Sequence, residues 1–228
     1  LTNIAKSAEP YFLTYQKLKK YLEKNNPSVV VIGFSHHNIS GFNDHKFAAK
    51  DQKNEMIDRL LSIDFTEAIR YDRIQKEDLL KRIFKNYCFY PKLPDSKYIG
   101  GFKINKTTDL SDLEEAVTRH YYKEDGVQYG ISNDSKLYLK KIMESLLLKE
   151  KKVILVACPV TTPYFNKIPS LNKKGFEEFK NQLLKDYDIT FHDYSQIFSI
   201  DSLFLNVDHL NFKGANEFSK KISHIIGD

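Results

Sequence analysis

Apolar positions along the chain follow two periods. In residues 11–25, Phe12, Tyr15, Leu18 and Leu22 recur at three- and four-residue steps with lysines between them, the pattern of an amphipathic helix. Asn25-Asn26-Pro27 ends it. The run Ser28-Val-Val-Val-Ile-Gly33 that follows is short, β-branched and apolar on both faces, which predicts a strand buried in a parallel sheet. The same order recurs later. Residues 136–149 carry Leu137, Leu139, Ile142, Met143, Leu146 and Leu147 at helical spacing, and residues 153–156 make a second strand before Pro159 and Pro163. A third helix over 176–187, a third strand over 189–193 and a terminal helix over 211–226 complete the series. Repeated helix-then-strand alternation predicts an α/β fold with a three-layer parallel sheet.

Residues 44–133 carry no strand-like run. Helices are expected at 56–63 and 78–84, and residues 92–108, rich in Pro, Gly, Lys and Asn, read as a long loop. This stretch is therefore expected to be a mostly helical insertion, within a single domain spanning 1–228, that covers one end of the sheet. No internal repeat is visible.

Composition narrows the class. The 228 residues are 41% apolar and 29% charged, which fits a globular chain and neither a disordered nor a disulfide-scaffold one. No run approaches the ~18 apolar residues of a membrane span. Lys and Arg number 35 against 30 Asp and Glu, for a net +5, but acids interrupt every basic cluster. Nucleic acid is therefore not the expected partner. Cys88 and Cys158 lie far apart without C-x-x-C spacing, so each reads as a buried thiol rather than a zinc or redox ligand. The chain starts at Leu1 rather than Met, and an upstream piece carrying a signal peptide or membrane anchor is the expectation.

In an open parallel sheet, ligands bind beyond the carboxyl ends of the strands. The segments in that place are Gly33-Phe-Ser-His-His-Asn38, Cys158-Pro-Val-Thr-Thr-Pro163 and the stretch from Asn206 to Ala215, and they are expected to converge on one crevice. Asp208-His209, placed at the start of the terminal helix, supplies the carboxylate and imidazole that a general base needs. The competing reading of the dipeptide is a helix cap beside a surface histidine. His36, His37 and His45 do not suggest a metal, because adjacent histidines on a strand point to opposite faces and no carboxylate stands at ligand spacing. No cofactor is expected. Tyr71, Tyr87, Tyr90, Tyr98, Tyr121 and Tyr122 gather in the insertion, where they either stack on sugars or simply pack. His192, before Asp193, reads as structural.

The block Asn206-Val-Asp-His-Leu-Asn-Phe-Lys-Gly-Ala-Asn-Glu-Phe-Ser resembles the last block of the SGNH (GDSL-like) hydrolase superfamily. Residues 152–159 resemble the strand before that block, with its closing Pro. Leu1-Thr-Asn-Ile-Ala-Lys-Ser-Ala-Glu resembles the second block, and residues 29–36 the third. The pattern Ser7-Ala-Glu-Pro-Tyr, Lys17-Leu-Lys, Gly33-Phe-Ser-His-His and Asp208-His-Leu-Asn is more closely similar to uncharacterised SGNH-like proteins of Bacteroidetes that often carry an N-terminal membrane anchor. The resemblance covers both ends of the chain and leaves the insertion unaligned.

It implies a flavodoxin-like sheet and an esterase or O-acyltransferase acting on acyl esters of carbohydrate or cell-envelope polymers, outside the cytoplasm of a bacterium. It implies His209 as general base, Asp208 as its orienter, and Ala8 and Ser35 near the oxyanion. His36, His37, Asn38 and Asn206 would line the crevice. Three departures stand out. The Gly-x-Ser strand that carries the family's nucleophile would precede Leu1, and Ser35 stands where the family has its oxyanion Asn. Asn206 also occupies the position three before His209 that normally holds the triad Asp, so either Asn206 or Asp208 serves the imidazole. The rival expectation is an SGNH-like scaffold without catalysis that binds a glycan or a protein.

Overall fold

The computed structural model describes residues 2–6, 9–45, 50–63, 75–85 and 108–227. In chain order the elements are α1 (Tyr11–Lys24), β1 (Val29–Gly33), a 3-10 turn (His36–Ile39), α2 (Phe42–His45), α3 (Lys50–Ile63), α4 (Lys76–Phe84), α5 (Leu113–Tyr121), α6 (Asn133–Leu147), β2 (Lys152–Ala157), α7 (Thr162–Lys167), α8 (Ser170–Asp186), β3 (Thr190–Asp193), a second 3-10 turn (Asp201–Leu203), β4 (Phe204–Asn206), β5 (His209–Leu210) and α9 (Phe212–Gly227). The fold is mixed α/β. The chain divides into two compact units, residues 1–26 with 43–101, and residues 27–42 with 102–228.

The regular elements described in the first unit are helices. Its helix α3 packs on both α1 and α4, with Leu13, Ile57, Leu60 and Leu79 inside. Lys17 Nζ meets Glu9 Oε2 at 2.6 Å with both side chains nearly sealed from water, and Thr14 donates to Glu9 Oε1 at 3.0 Å. Burial pushes the Lys17 ammonium below its ordinary value, against the pull of Glu9. The long loop expected at 92–108 lies, but for Thr108, outside the described residues, as do Cys88, Tyr71, Tyr87, Tyr90 and Tyr98.

The second unit holds a three-stranded parallel sheet in the order β1-β2-β3. Val29 pairs with Lys152 and Gly33 with Val156 on one side, and Ile154 pairs with Thr190 and Ala157 with Asp193 on the other. Among the described residues only β2 has strands on both sides, and residues 153–157 are accordingly all buried. This corrects the expectation for β1. Its apolar run is half-buried at Val29, Val30 and Val31, because among the described residues it is an edge strand. Burial on both faces belongs to the middle strand. Phe34, just past β1, stacks on Phe176 of α8 at 4.7 Å between ring centroids and meets Phe179 and Phe191 edge-on. On one face, therefore, α8 is fixed to the sheet by aromatic packing.

Cys158 departs in part from expectation: the residue is exposed, since β2 ends at Ala157, while burial still pushes its thiol up to about 11. Likewise, the Asp208-His209 pair does not start the terminal helix. Strands β4 and β5 pair antiparallel, with Asn206 opposite His209, so Val207 and Asp208 form the turn of a short hairpin. The helix begins after Asn211, whose Oδ1 accepts the Gly214 N–H at 3.0 Å, an N-cap that the Asn-x-x-Gly spacing provides.

Candidate functional site

The segments beyond the three parallel strands are stitched to one another and to the hairpin. After β1, Ser35 Oγ accepts the Cys158 N–H at 3.0 Å, joining the first loop to the second. The Val160 N–H donates to Ser195 O at 3.0 Å, joining the second to the third. Thr161 donates twice to Val207 O, from its N–H at 2.9 Å and its hydroxyl at 3.0 Å, which ties the second loop to the hairpin turn. Beneath that turn Val207 is buried among Ala116, Val117, Tyr121, Val160, Tyr164 and Ile168. The hairpin thus rests on α5 and α7, and its turn is held from below by apolar packing and from the side by backbone bonds.

Asp208 and His209, adjacent in sequence, face each other. Asp208 Oδ1 lies 2.9 Å from His209 Nδ1, and Asn206 Oδ1 lies 3.0 Å from the same nitrogen. The orientation of the Asn206 amide is fixed from behind, because its Nδ2 donates to Asp112 Oδ2 at 3.0 Å. Both candidate partners therefore serve Nδ1, and the proton on it selects the tautomer with Nε2 as the basic nitrogen. The His209 ring is 61% exposed while the Asp208 side chain is only 3% exposed. A buried carboxylate behind an exposed imidazole is the order in which a general base works, with Nε2 turned to the reacting group. The hydrogen bond that His209 donates to Asp208, outweighing desolvation, raises the proton affinity of His209 above its ordinary value.

Burial works against the Asp208 anion, but the His209 hydrogen bond and the imidazoles of His209, His120 and His37 outweigh it and hold the carboxyl at about 2. His120 is one of the groups that local sequence did not reveal. It stands on α5, 8% exposed, with Nε2 at 3.6 Å from Asp208 Oδ2 and Nδ1 at 2.6 Å from the Tyr164 hydroxyl. Arg119 Nη2 is also 3.6 Å from Asp208 Oδ2. Asp112, at the head of the same helix, accepts the Val207 N–H at 3.3 Å. The α5 helix was readable from Leu113-Glu-Glu-Ala-Val-Thr-Arg-His-Tyr121, with acids in its first turn and Arg119-His120 in its last. Its place under the hairpin was not.

The other expected site residues are distributed. His37 stacks on His120 at 5.3 Å between ring centroids, which draws it into the surroundings of Asp208. His36 turns elsewhere, stacked on Phe176 at 4.2 Å and edge-on to Phe165, and burial holds it at about 4. Asn38 Oδ1 accepts the Ser35 N–H at 2.8 Å and so closes the 3-10 turn. Ser35 is buried. Ala8 lies outside the described residues. Tyr121 is fully buried and belongs to the packing under the turn, and His192 stacks on Tyr194 at 5.9 Å. No cluster of three or more His, Cys, Asp or Glu with metal-binding geometry occurs among the described residues.

Residues 126–228 match the model of a protein family of unknown function. No curated protein matches the chain, and no solved structure does. The matched segment contains the hairpin with Asp208 and His209 but not Asp112, Arg119 or His120.

Proposed function

We propose that the protein is an SGNH-like esterase or O-acyltransferase, with a flavodoxin-like sheet, that acts on acyl esters of carbohydrate or cell-envelope polymers outside the bacterial cytoplasm. The observation that carries the reading is the contact of a buried, ionised Asp208 with the exposed His209 imidazole, set in a block that resembles the last block of that superfamily. In this reading a serine outside the described residues attacks the acyl carbon and gives its proton to His209 Nε2. The imidazolium returns that proton to the departing alkoxide, leaving an acyl-serine. Water or a sugar hydroxyl, deprotonated by His209, then attacks the acyl group. The serine leaves with the proton from His209. Ser35 would flank the oxyanion. No helix among the described residues is long and apolar enough to cross a membrane.

Hydrolysis of p-nitrophenyl acetate by the full-length protein, with and without His209→Ala, tests the proposal. Loss of turnover by at least a hundredfold supports it, and equal turnover in both proteins ends it. Binding without catalysis is the second reading, favoured by Asn206 at the usual triad position and by the burial of Ser35. That reading gains if wild type shows no turnover while retaining affinity for an acylated glycan.

A further inference from the structure

The Asp208 carboxylate is held on both oxygens by different elements. Oδ1 faces His209 of β5, whereas Oδ2 faces His120 and Arg119 of α5. His120 is itself fixed on every side: its carbonyl accepts the Ser40 hydroxyl at 2.6 Å, its ring stacks on His37, and its Nδ1 meets the Tyr164 hydroxyl. An imidazole facing a carboxylate favours the tautomer with the proton on Nε2, so Nδ1 accepts from Tyr164. Such a ring has one orientation open to it.

We infer that His120 is a positioning residue, which fixes the Asp208 carboxylate through its second oxygen and thereby keeps the first aimed at His209. The inference rests on the general-base reading of His209 for its catalytic consequence but not for its geometry. Burial keeps His120 neutral, at about 3, so its Nε2, 3.6 Å from Asp208 Oδ2, faces the carboxylate without cancelling the charge that His209 needs. Arg119 supplies charge but is 39% exposed and shares itself with Glu115 at 3.6 Å, and a guanidinium divided between two carboxylates in solvent orients either one weakly. The groups facing Asp208 are therefore His209, His120, His37 and Arg119, and only His120 is both buried and anchored at its far nitrogen. The neighbouring Asp112 acts on Asn206 and Val207 instead.

The test is an NMR titration of the His209 ring in the full chain with His120→Leu, His120→Gln and Tyr164→Phe. Gln reaches as far as the imidazole Nε2 and keeps a donor there, whereas Leu keeps the volume alone. The expected result is that His120→Leu returns the His209 midpoint toward its ordinary value, His120→Gln holds it near wild type, and Tyr164→Phe falls between. An unchanged midpoint in folded His120→Leu, or equal shifts in the Leu and Gln variants, overturns the inference. Where the wild type turns over ester, kcat falls at least tenfold in His120→Leu with KM unchanged. If the wild type shows no turnover, the function proposed above fails while the titration still decides the role of His120. Should His120→Leu not fold, Tyr164→Phe, whose loss is a single hydroxyl, carries the test by the same titration.

Discussion

Asn206 and His209 stand opposite each other across the β4–β5 ladder, and Asn206 Oδ1 reaches the same ring nitrogen that Asp208 holds. Two acceptors on one proton are not equivalent, because only the carboxylate gains when the ring becomes charged. Asp208→Asn should therefore return the His209 titration toward its ordinary value and, in an active protein, reduce kcat by about 10³–10⁴. Asn206→Ala removes one neutral acceptor and should cost about tenfold or less. The swap Asn206→Asp with Asp208→Asn should recover most of the titration shift, since the two oxygens lie at nearly the same distance. Equal effects of the two single substitutions would contradict the assignment.

Gly214 fixes where α9 begins. A Cβ at this position would fall 2.0 Å from Leu203 O and 3.0 Å from its carbonyl carbon. The obstacle is backbone, so it cannot swing aside as a side chain would. Gly214→Ala should destabilise by about 2–4 kcal/mol in urea unfolding, although alanine in a helix ordinarily gains close to 1 kcal/mol. Gly175→Ala provides the contrast, because there the Cβ meets only Ile131 side-chain carbons, at 2.4 and 2.7 Å. Adding Ile131→Ala should relieve part of the Gly175→Ala loss, whereas no side-chain truncation relieves Gly214→Ala.

These features mark what the sequence could and could not disclose. Strands β1, β2 and β3 were legible because β-branched runs between breakers leave few alternatives, and α1, α6 and α9 because their apolar spacing is helical. Edge and centre were not legible for β1, since Val-Val-Val-Ile has the same composition in either place and burial depends on strand order. The hairpin was hidden for a different reason. Asn206 to Asn211 carries cap-like residues, and the pairing of β4 with β5 needs only two short strands that no periodicity can announce. Asp208 and His209 were identified as a pair, but Asp112, Arg119, His120 and Tyr164 reach them through tertiary packing across some forty to ninety positions of chain. A single sequence holds no local trace of such partners.

Acid should weaken the fold through His36. Its proton affinity is lowered by burial to about 4 from an ordinary 6.5, so the unfolded chain takes up a proton that the folded chain refuses. The stability this group supplies is complete above pH 6.5 and is lost as pH falls toward 4, at about 1.4 kcal/mol per pH unit. His120, held at about 3, adds a like slope. Neither member of the dyad interferes in that window: His209 is raised, so its contribution is fully present below 6.5, and Asp208, held at about 2, keeps its contribution until the pH falls below about 4. His36→Phe, which preserves the stacking on Phe176, should reduce the stability lost between pH 6.5 and 5 by roughly 2 kcal/mol. Identical pH slopes for the variant and wild type in urea unfolding would contradict this.

Asp112 links α5 to the hairpin through two bonds on two oxygens, from Asn206 Nδ2 and from the Val207 N–H. It stands at the N-cap position of α5 but makes no side-chain cap bond to that helix. Its loss should therefore fall on the hairpin rather than on the helix. Asp112→Ala leaves the Val207 N–H and the Asn206 amide without their partner, at a cost of about 1–3 kcal/mol. Asp112→Asn should be little better, because a carboxamide offers only one acceptor and turns an N–H₂ group toward the other donor. A cycle of Asp112→Ala with Asn206→Ala separates the two bonds. Coupling of about 1 kcal/mol belongs to the Asn206 contact, and the remainder of the Asp112→Ala loss belongs to Val207. Hydrogen exchange provides the independent check, with faster exchange expected at Val207 and His209 and unchanged protection inside α5. If protection is instead lost along residues 113–121, Asp112 serves its own helix and the link to the hairpin is incidental.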